Sequence, residues 1–146
     1  MKDEVVIYTD GSCEGNPGPG GYAAIIDENG ERREIKGNER RTTNNRMELL
    51  AVISALRTLE EPKAVRVVTD SQYVAKGMAS WIHTWRRKGW RNAAGDPVKN
   101  RDLWEELDHL ASRHRVKWEW IRGHAGHPEN ERADALAREA IREMRD

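Results

Sequence analysis

The sequence has one cysteine, no net charge and no long apolar run, and each shortage narrows what the chain can be. A lone Cys13 allows no internal disulfide and fits a reducing, cytoplasmic setting. No stretch approaches the roughly 20 apolar residues that cross a bilayer, so no membrane partner is expected. Met1-Lys2-Asp3-Glu4 leads straight into a strand-like run without an apolar signal region. Repeats, low-complexity tracts and linkers are missing as well. At 146 residues the expectation is one domain over 1–146 with its own core. The balance of 25 basic and 25 acidic residues names no partner, but the distribution is uneven. Residues 71–101 carry 7 basic side chains against 1 acidic, while the segments on either side are each net negative.

What is present begins with a repeated strand ending. Val5-Val6-Ile7-Tyr8-Thr9-Asp10 and Val65-Arg66-Val67-Val68-Thr69-Asp70 are both β-branched, largely apolar runs that stop at Thr-Asp. If the two strands are parallel neighbours, Asp10 and Asp70 emerge together at one sheet edge. Two carboxylates about 5 Å apart repel by roughly 3 kcal/mol at an effective dielectric of about 20. Protons or cations would have to relieve that. Taken singly, each Asp could equally cap the turn after it; the repetition favours a shared site.

Gly11 to Gly21 holds five glycines and two prolines and is expected to form a tight turn between strands. It matches no phosphate-loop or dinucleotide fingerprint. Tyr22–Ile26 reads as a second strand, Asn29-Gly30 as a hairpin turn, and Arg32–Lys36 as a charged edge strand. Thr42-Thr43-Asn44-Asn45 supplies caps for an apolar helix from about Arg46. Glu48 falls in its first turn on the buried side, where it could simply offset the helix dipole.

Ser71 can cap a helix through Tyr73, Val74 and Met78. The basic stretch follows, with Trp81 and Trp85 on one helical face. Such a stripe is often core. Here Arg86, Arg87, Lys88 and Arg91 interleave with it on a protrusion over about 81–99, which suits stacking and phosphate neutralisation along a nucleic-acid strand. A helix capped near Asn100, a strand over Val116–Ile121 and a last helix from Pro128 complete the chain. Asp134 borders the buried face of that helix. The order β-β-β-α-β-α-α-β-α predicts an α/β fold with an antiparallel front half and parallel strands behind.

Four segments carry a resemblance. Tyr8-Thr9-Asp10-Gly11-Ser12, Thr42-Thr43-Asn44-Asn45-Arg46-Met47-Glu48, Thr69-Asp70-Ser71-Gln72-Tyr73 and the run from Gly123 to Asp134 resemble type 1 ribonuclease H, in its bacterial form with a basic protrusion. The resemblance implies a five-stranded mixed sheet, three antiparallel strands then two parallel, flanked by helices. It implies a monomeric endoribonuclease that cleaves the RNA strand of RNA/DNA hybrids with little sequence preference, leaving 5′-phosphate and 3′-hydroxyl ends. It assigns Asp10, Glu48, Asp70 and Asp134 to one or two divalent ions, Mg²⁺ with Mn²⁺ as a substitute. An all-oxygen donor set of this kind suits hard ions. In the implied arrangement Asp10 bridges both ions, Asp134 lies on the water side, and Glu48 and Asp70 lie on the leaving-group side.

The resemblance further gives His124 a part in proton transfer or product release, and leaves His127 to order the helix start. Gly11, Cys13, Asn16, Asn44, Asn45 and Gln72 correspond to contacts in the hybrid's minor groove, Cys13 through its backbone. Arg41, Thr43 and Asn100 correspond to a pocket for a DNA phosphate, and Tyr73, Trp81 and Trp85 to a channel for deoxyriboses. Two other readings remain: a DNA strand-transferase, which would cut duplex DNA, and a non-catalytic hybrid-binding module, which EDTA-sensitive cleavage would exclude.

Overall fold

The computed structural model describes residues 4–123 and 126–145. Strand β1 (Glu4–Cys13) pairs antiparallel with β2 (Gly18–Glu28), which pairs antiparallel with β3 (Glu31–Thr42). On its other side β1 pairs parallel with β4 (Ala64–Thr69), and β4 with β5 (Arg115–Trp120). The sheet order is therefore β3-β2-β1-β4-β5, three antiparallel strands followed by two parallel ones. Central β1 buries Val5 and Ile7 completely, as a strand covered on both faces requires.

The glycine-rich segment is mostly strand, not turn. The β1–β2 ladder continues to Cys13 opposite Gly20, so only residues 14–17 connect the two strands. Asn29 and Gly30, with φ of 55° and 85°, make the expected hairpin turn. Edge strand β3 is longer than its weak alternation suggested. Its outward charges are engaged by the last helix, Lys36 with Glu139 and Glu143 and Arg132 with Glu34.

Helix α1 (Asn44–Arg57) covers one face of the sheet with Leu49, Val52, Ile53 and Leu56. Helices α2 (Gln72–Lys76), α3 (Ile82–Arg87) and α4 (Arg101–Ser112) extend that layer. Helix α5 (Pro128–Arg145) covers the other face, packing Ala133, Leu136 and Ala137 on Ala23 and Ile25. Among the described residues no helix is long and apolar enough to cross a membrane.

A π-helical turn, Gly77–Trp81, joins α2 to α3. The indole of Trp104 lies against Gly77, where a Cβ would come within 2.1 Å of it. The tryptophan stripe is divided between core and surface. Trp85 is half-buried, 5.1 Å from Trp104 and 6.2 Å from Trp90 by ring centroids, whereas Trp81 is 36% exposed. Asn100 precedes α4 as expected, with φ 61°, but its side chain does not cap the helix.

Candidate active site

Tyr8 stands opposite Val68 in the parallel pair, so Asp10 and Asp70, two residues further on, reach the same C-terminal edge of the sheet. Such edges are where open α/β sheets place their ligands. Glu48 arrives from α1. Thr43 fixes the start of that helix by accepting the Arg46 N–H at 3.3 Å, which puts Glu48 in the second turn instead of the expected first. There it is beyond reach of the unpaired amides that would make it a mere dipole partner. The approach of α1 to β1 depends on Gly11, whose hypothetical Cβ would fall 2.6 Å from the Glu48 nitrogen.

Carboxylate oxygens of Asp10, Glu48 and Asp70 all lie within 4.8 Å of one another. Asp134, in the second turn of α5, lines the same cleft as Asp10 and Asp70 and pairs with Arg138 at 2.9 Å. Three acids therefore meet, and Asp134 borders them across the cleft. Asp10 and Glu48 are buried, while Asp134 is half-buried. Burial, then the charge of Asp70, pushes the Asp10 carboxyl up to about 9, opposed by a 3.0 Å bond from the Gly11 N–H. Burial, then Asp10 and Asp70, holds Glu48 well above the usual carboxylate range.

Among the described residues Glu48 Oε1 has no hydrogen-bond partner. A buried acceptor so placed needs a proton or a cation. With carboxylates as the converging donors, the residues fit a hard divalent ion. The cleft at Asp10, Asp70 and Asp134 is also lined by Arg122, His127, Asn130 and Glu131. Asn130 donates from Nδ2 to the Val68 carbonyl at 3.2 Å. Sequence reading missed Asn130, since a helix-start Asn carries no distinguishing pattern. The His127 carbonyl accepts the Glu131 N–H at 3.0 Å and so opens α5. His124 lies outside the described residues.

Asn16 and the start of α1 are joined, the Asn44 N–H donating to Asn16 Oδ1 at 3.0 Å. Cys13 is half-buried near the end of β1, with its thiol 2.8 Å from the Gly15 carbonyl. Asn45 is half-buried and Gln72 exposed, each in the first turn of its helix. Arg41 is exposed at the end of β3. Asn100 accepts from Arg46 Nη1 at 3.2 Å and donates to the Tyr73 hydroxyl at 3.0 Å. That hydroxyl also accepts from Trp104 Nε1 at 3.0 Å, and the Tyr73 ring stands 5.8 Å from Trp81.

All four arm cations are exposed, but two are also tied within the fold. Arg86 is held by Asp108 of α4, its Nε donating to both carboxylate oxygens at 3.1 Å. Arg91 closes its own loop by donating to the Gly95 carbonyl at 2.9 Å. Arg87 and Lys88 are exposed.

The family profile for RNase H matches residues 2–142. A ribonuclease H of Pelobacter propionicus is 62% identical over 141 residues, covering 97% of this chain and 86% of its own length. One from Aromatoleum aromaticum is 59% identical over 145 residues, covering 99% and 95%. Among solved structures, LC9-RNase H1, described as a type 1 RNase H with the type 2 active-site motif, superimposes with a TM-score of 0.87 at 38% identity, over 98% of this chain and 74% of its own. LC11-RNase H1 in complex with an RNA/DNA hybrid gives 0.75 at 27% identity, over 97% and 99%.

Proposed function

Because the chain belongs to the ribonuclease H family, we propose that it works through Asp10, Glu48, Asp70 and Asp134, holding the divalent cation with which it hydrolyses the RNA strand of RNA/DNA hybrids. The observation that carries this is the meeting of Asp10, Glu48 and Asp70 oxygens within 4.8 Å at one sheet edge. The ion is Mg²⁺, with Mn²⁺ able to replace it, in one or two copies. Held by Asp10, Glu48, Asp70 and Asp134, such an ion would supply Lewis-acid activation of water and charge stabilisation at the 3′ oxygen, consistent with 5′-phosphate and 3′-hydroxyl ends.

The chain's own groups do the rest. Asp10 is kept in place by the Gly11 amide, and Glu48 by the close seat of α1 on β1. Asp134 reaches in from the opposite helix layer, and His124 transfers a proton or assists product release. Gly11, the Cys13 backbone, Asn16, Asn44, Asn45 and Gln72 meet the minor groove, where the 2′-hydroxyl separates RNA from DNA. Arg41, Thr43 and Asn100 take a DNA phosphate, the Asn100 amide being preset by Arg46 and Tyr73. Tyr73, Trp81 and Trp85 line the channel for the DNA strand, and the arm over about 81–99 adds charge without sequence preference. We read residues 1–146 as one monomeric unit acting in the cytoplasm, in keeping with its single thiol.

Two measurements test the reading. Mg²⁺-dependent cleavage should be confined to hybrid when hybrid, RNA duplex and DNA duplex are compared; cutting of DNA duplex would favour the strand-transferase instead. Asp10→Asn should abolish turnover while hybrid binding persists. Near-normal turnover in that variant would remove Asp10 from the mechanism.

A further inference from the structure

Asp70 stands one residue beyond the end of β4, where the ladder no longer fixes the chain. The run-on from β5 takes over that task. The Ile121 N–H donates to the Thr69 carbonyl at 2.9 Å. One residue past the end of β4, the indole Nε1–H of Trp120 donates to the Asp70 carbonyl at 3.1 Å. Beyond them Gly123 lies so close that a Cβ there would come 2.9 Å from Asp70 Oδ2. Two successive hydrogen bonds therefore seat Asp70 from one side, on the peptide before it and on its own peptide, and only a glycine at 123 leaves room beside its carboxylate.

Trp120 is the unexpected member of this set. Its side chain is 45% exposed, so burial of the ring gives limited reason for a tryptophan at this position. Its specific bond is the one from the indole N–H. A distance of 3.1 Å is sound hydrogen-bond geometry, and the acceptor belongs to a residue of the acid cluster. We propose that Trp120 is a positioning residue for Asp70, holding its backbone so that the carboxylate stays in register with Asp10 and Glu48. The inference rests on the reading of Asp70 as a cation ligand. Partners one shell out from a ligand commonly change cation affinity or activity by about 10- to 100-fold when removed.

The test is Trp120→Phe, which keeps an aromatic ring and removes the donor, measured beside Asp70→Asn. Calorimetric Mg²⁺ titration of Trp120→Phe should show affinity weakened by about tenfold, with a matching fall in kcat. Hybrid affinity in EDTA should match that of the parent chain. Parent-like Mg²⁺ affinity in Trp120→Phe, with affinity lost in Asp70→Asn, overturns the positioning role and leaves the ligand role standing. Parent-like affinity in both variants overturns the ligand role, and the inference with it. A measurement on the parent chain needs no variant to fold: the Trp120 indole proton should exchange with solvent more slowly than a free indole, and exchange at the free rate overturns the bond itself.

Discussion

Asp10 and Glu48 are the side chains whose ordinary charge the fold resists, and the resistance should register as a pH dependence of stability. The Asp10 pKa of about 9 in the folded chain lies far above the roughly 3.9 of an unfolded aspartate. Between those values the native state holds a proton that the unfolded chain has lost, so stability falls as pH rises through the window. In a chelator the thermal midpoint should drop steadily from pH 5 to pH 9. Asp10→Asn, which cannot charge, should flatten that slope and raise the midpoint at pH 8 by about 5 °C. An unchanged slope would show that Asp10 is not the group responsible. At this scale the sequence was informative where chemistry repeats: two Thr-Asp strand ends announced Asp10 and Asp70. Apart from the resemblance it was nearly silent on Glu48, because an acid early in a helix has an ordinary explanation that only its place in the second turn of α1 removes. Asn130 and Trp120 were illegible, since their roles depend on partners 62 and 50 residues away.

The arm is the element in which charge and structure part company. Arg86 belongs to the fold through its forked bond to Asp108, and Arg91 to its own loop. Arg87→Ala and Lys88→Ala should each weaken hybrid binding and reduce the salt slope by about one phosphate contact. Arg86→Ala should leave most of the slope intact and lower stability instead, by about 0.5–1 kcal/mol, the range for exposed ion pairs of good geometry. Equal slopes for all three variants would contradict this division; affinity titrations across salt would show it. Beneath the arm, Trp104 is fully buried and touches both Trp85 and Tyr73. Trp104→Ala should cost about 3–5 kcal/mol in a denaturant melt. Periodicity placed Trp81 and Trp85 on one face but could not divide them between core and surface. That division depends on Trp104, which comes from another helix, and on the π-turn at Gly77 that admits its indole.

On the scale of the whole molecule, the succession of elements and the strand directions followed from the sequence because apolar run, turn chemistry and helix caps agree along most of its length. The misreading at Gly11–Gly21 has a specific cause. Glycine and proline usually break strands, yet here the ladder runs on past Gly11 and Gly21 to the pair of Cys13 with Gly20. Convergence of Asp10, Glu48 and Asp70, with Asp134 bordering the cleft, was the least local feature, assembled by one parallel register and two helices on opposite faces.

The crowding of buried Asp10 and Glu48 against Asp70 has one more consequence. Carboxyls that keep protons for want of a counter-charge must surrender them when a divalent ion arrives, so the cleft behaves as an exchanger. Mg²⁺ titrated into the chain near neutral pH should liberate acid, and the measured heat should scale with the ionisation enthalpy of the buffer. Loading of this nuclease would then be governed jointly by magnesium concentration and ambient acidity, two signals read through a single cluster of oxygens.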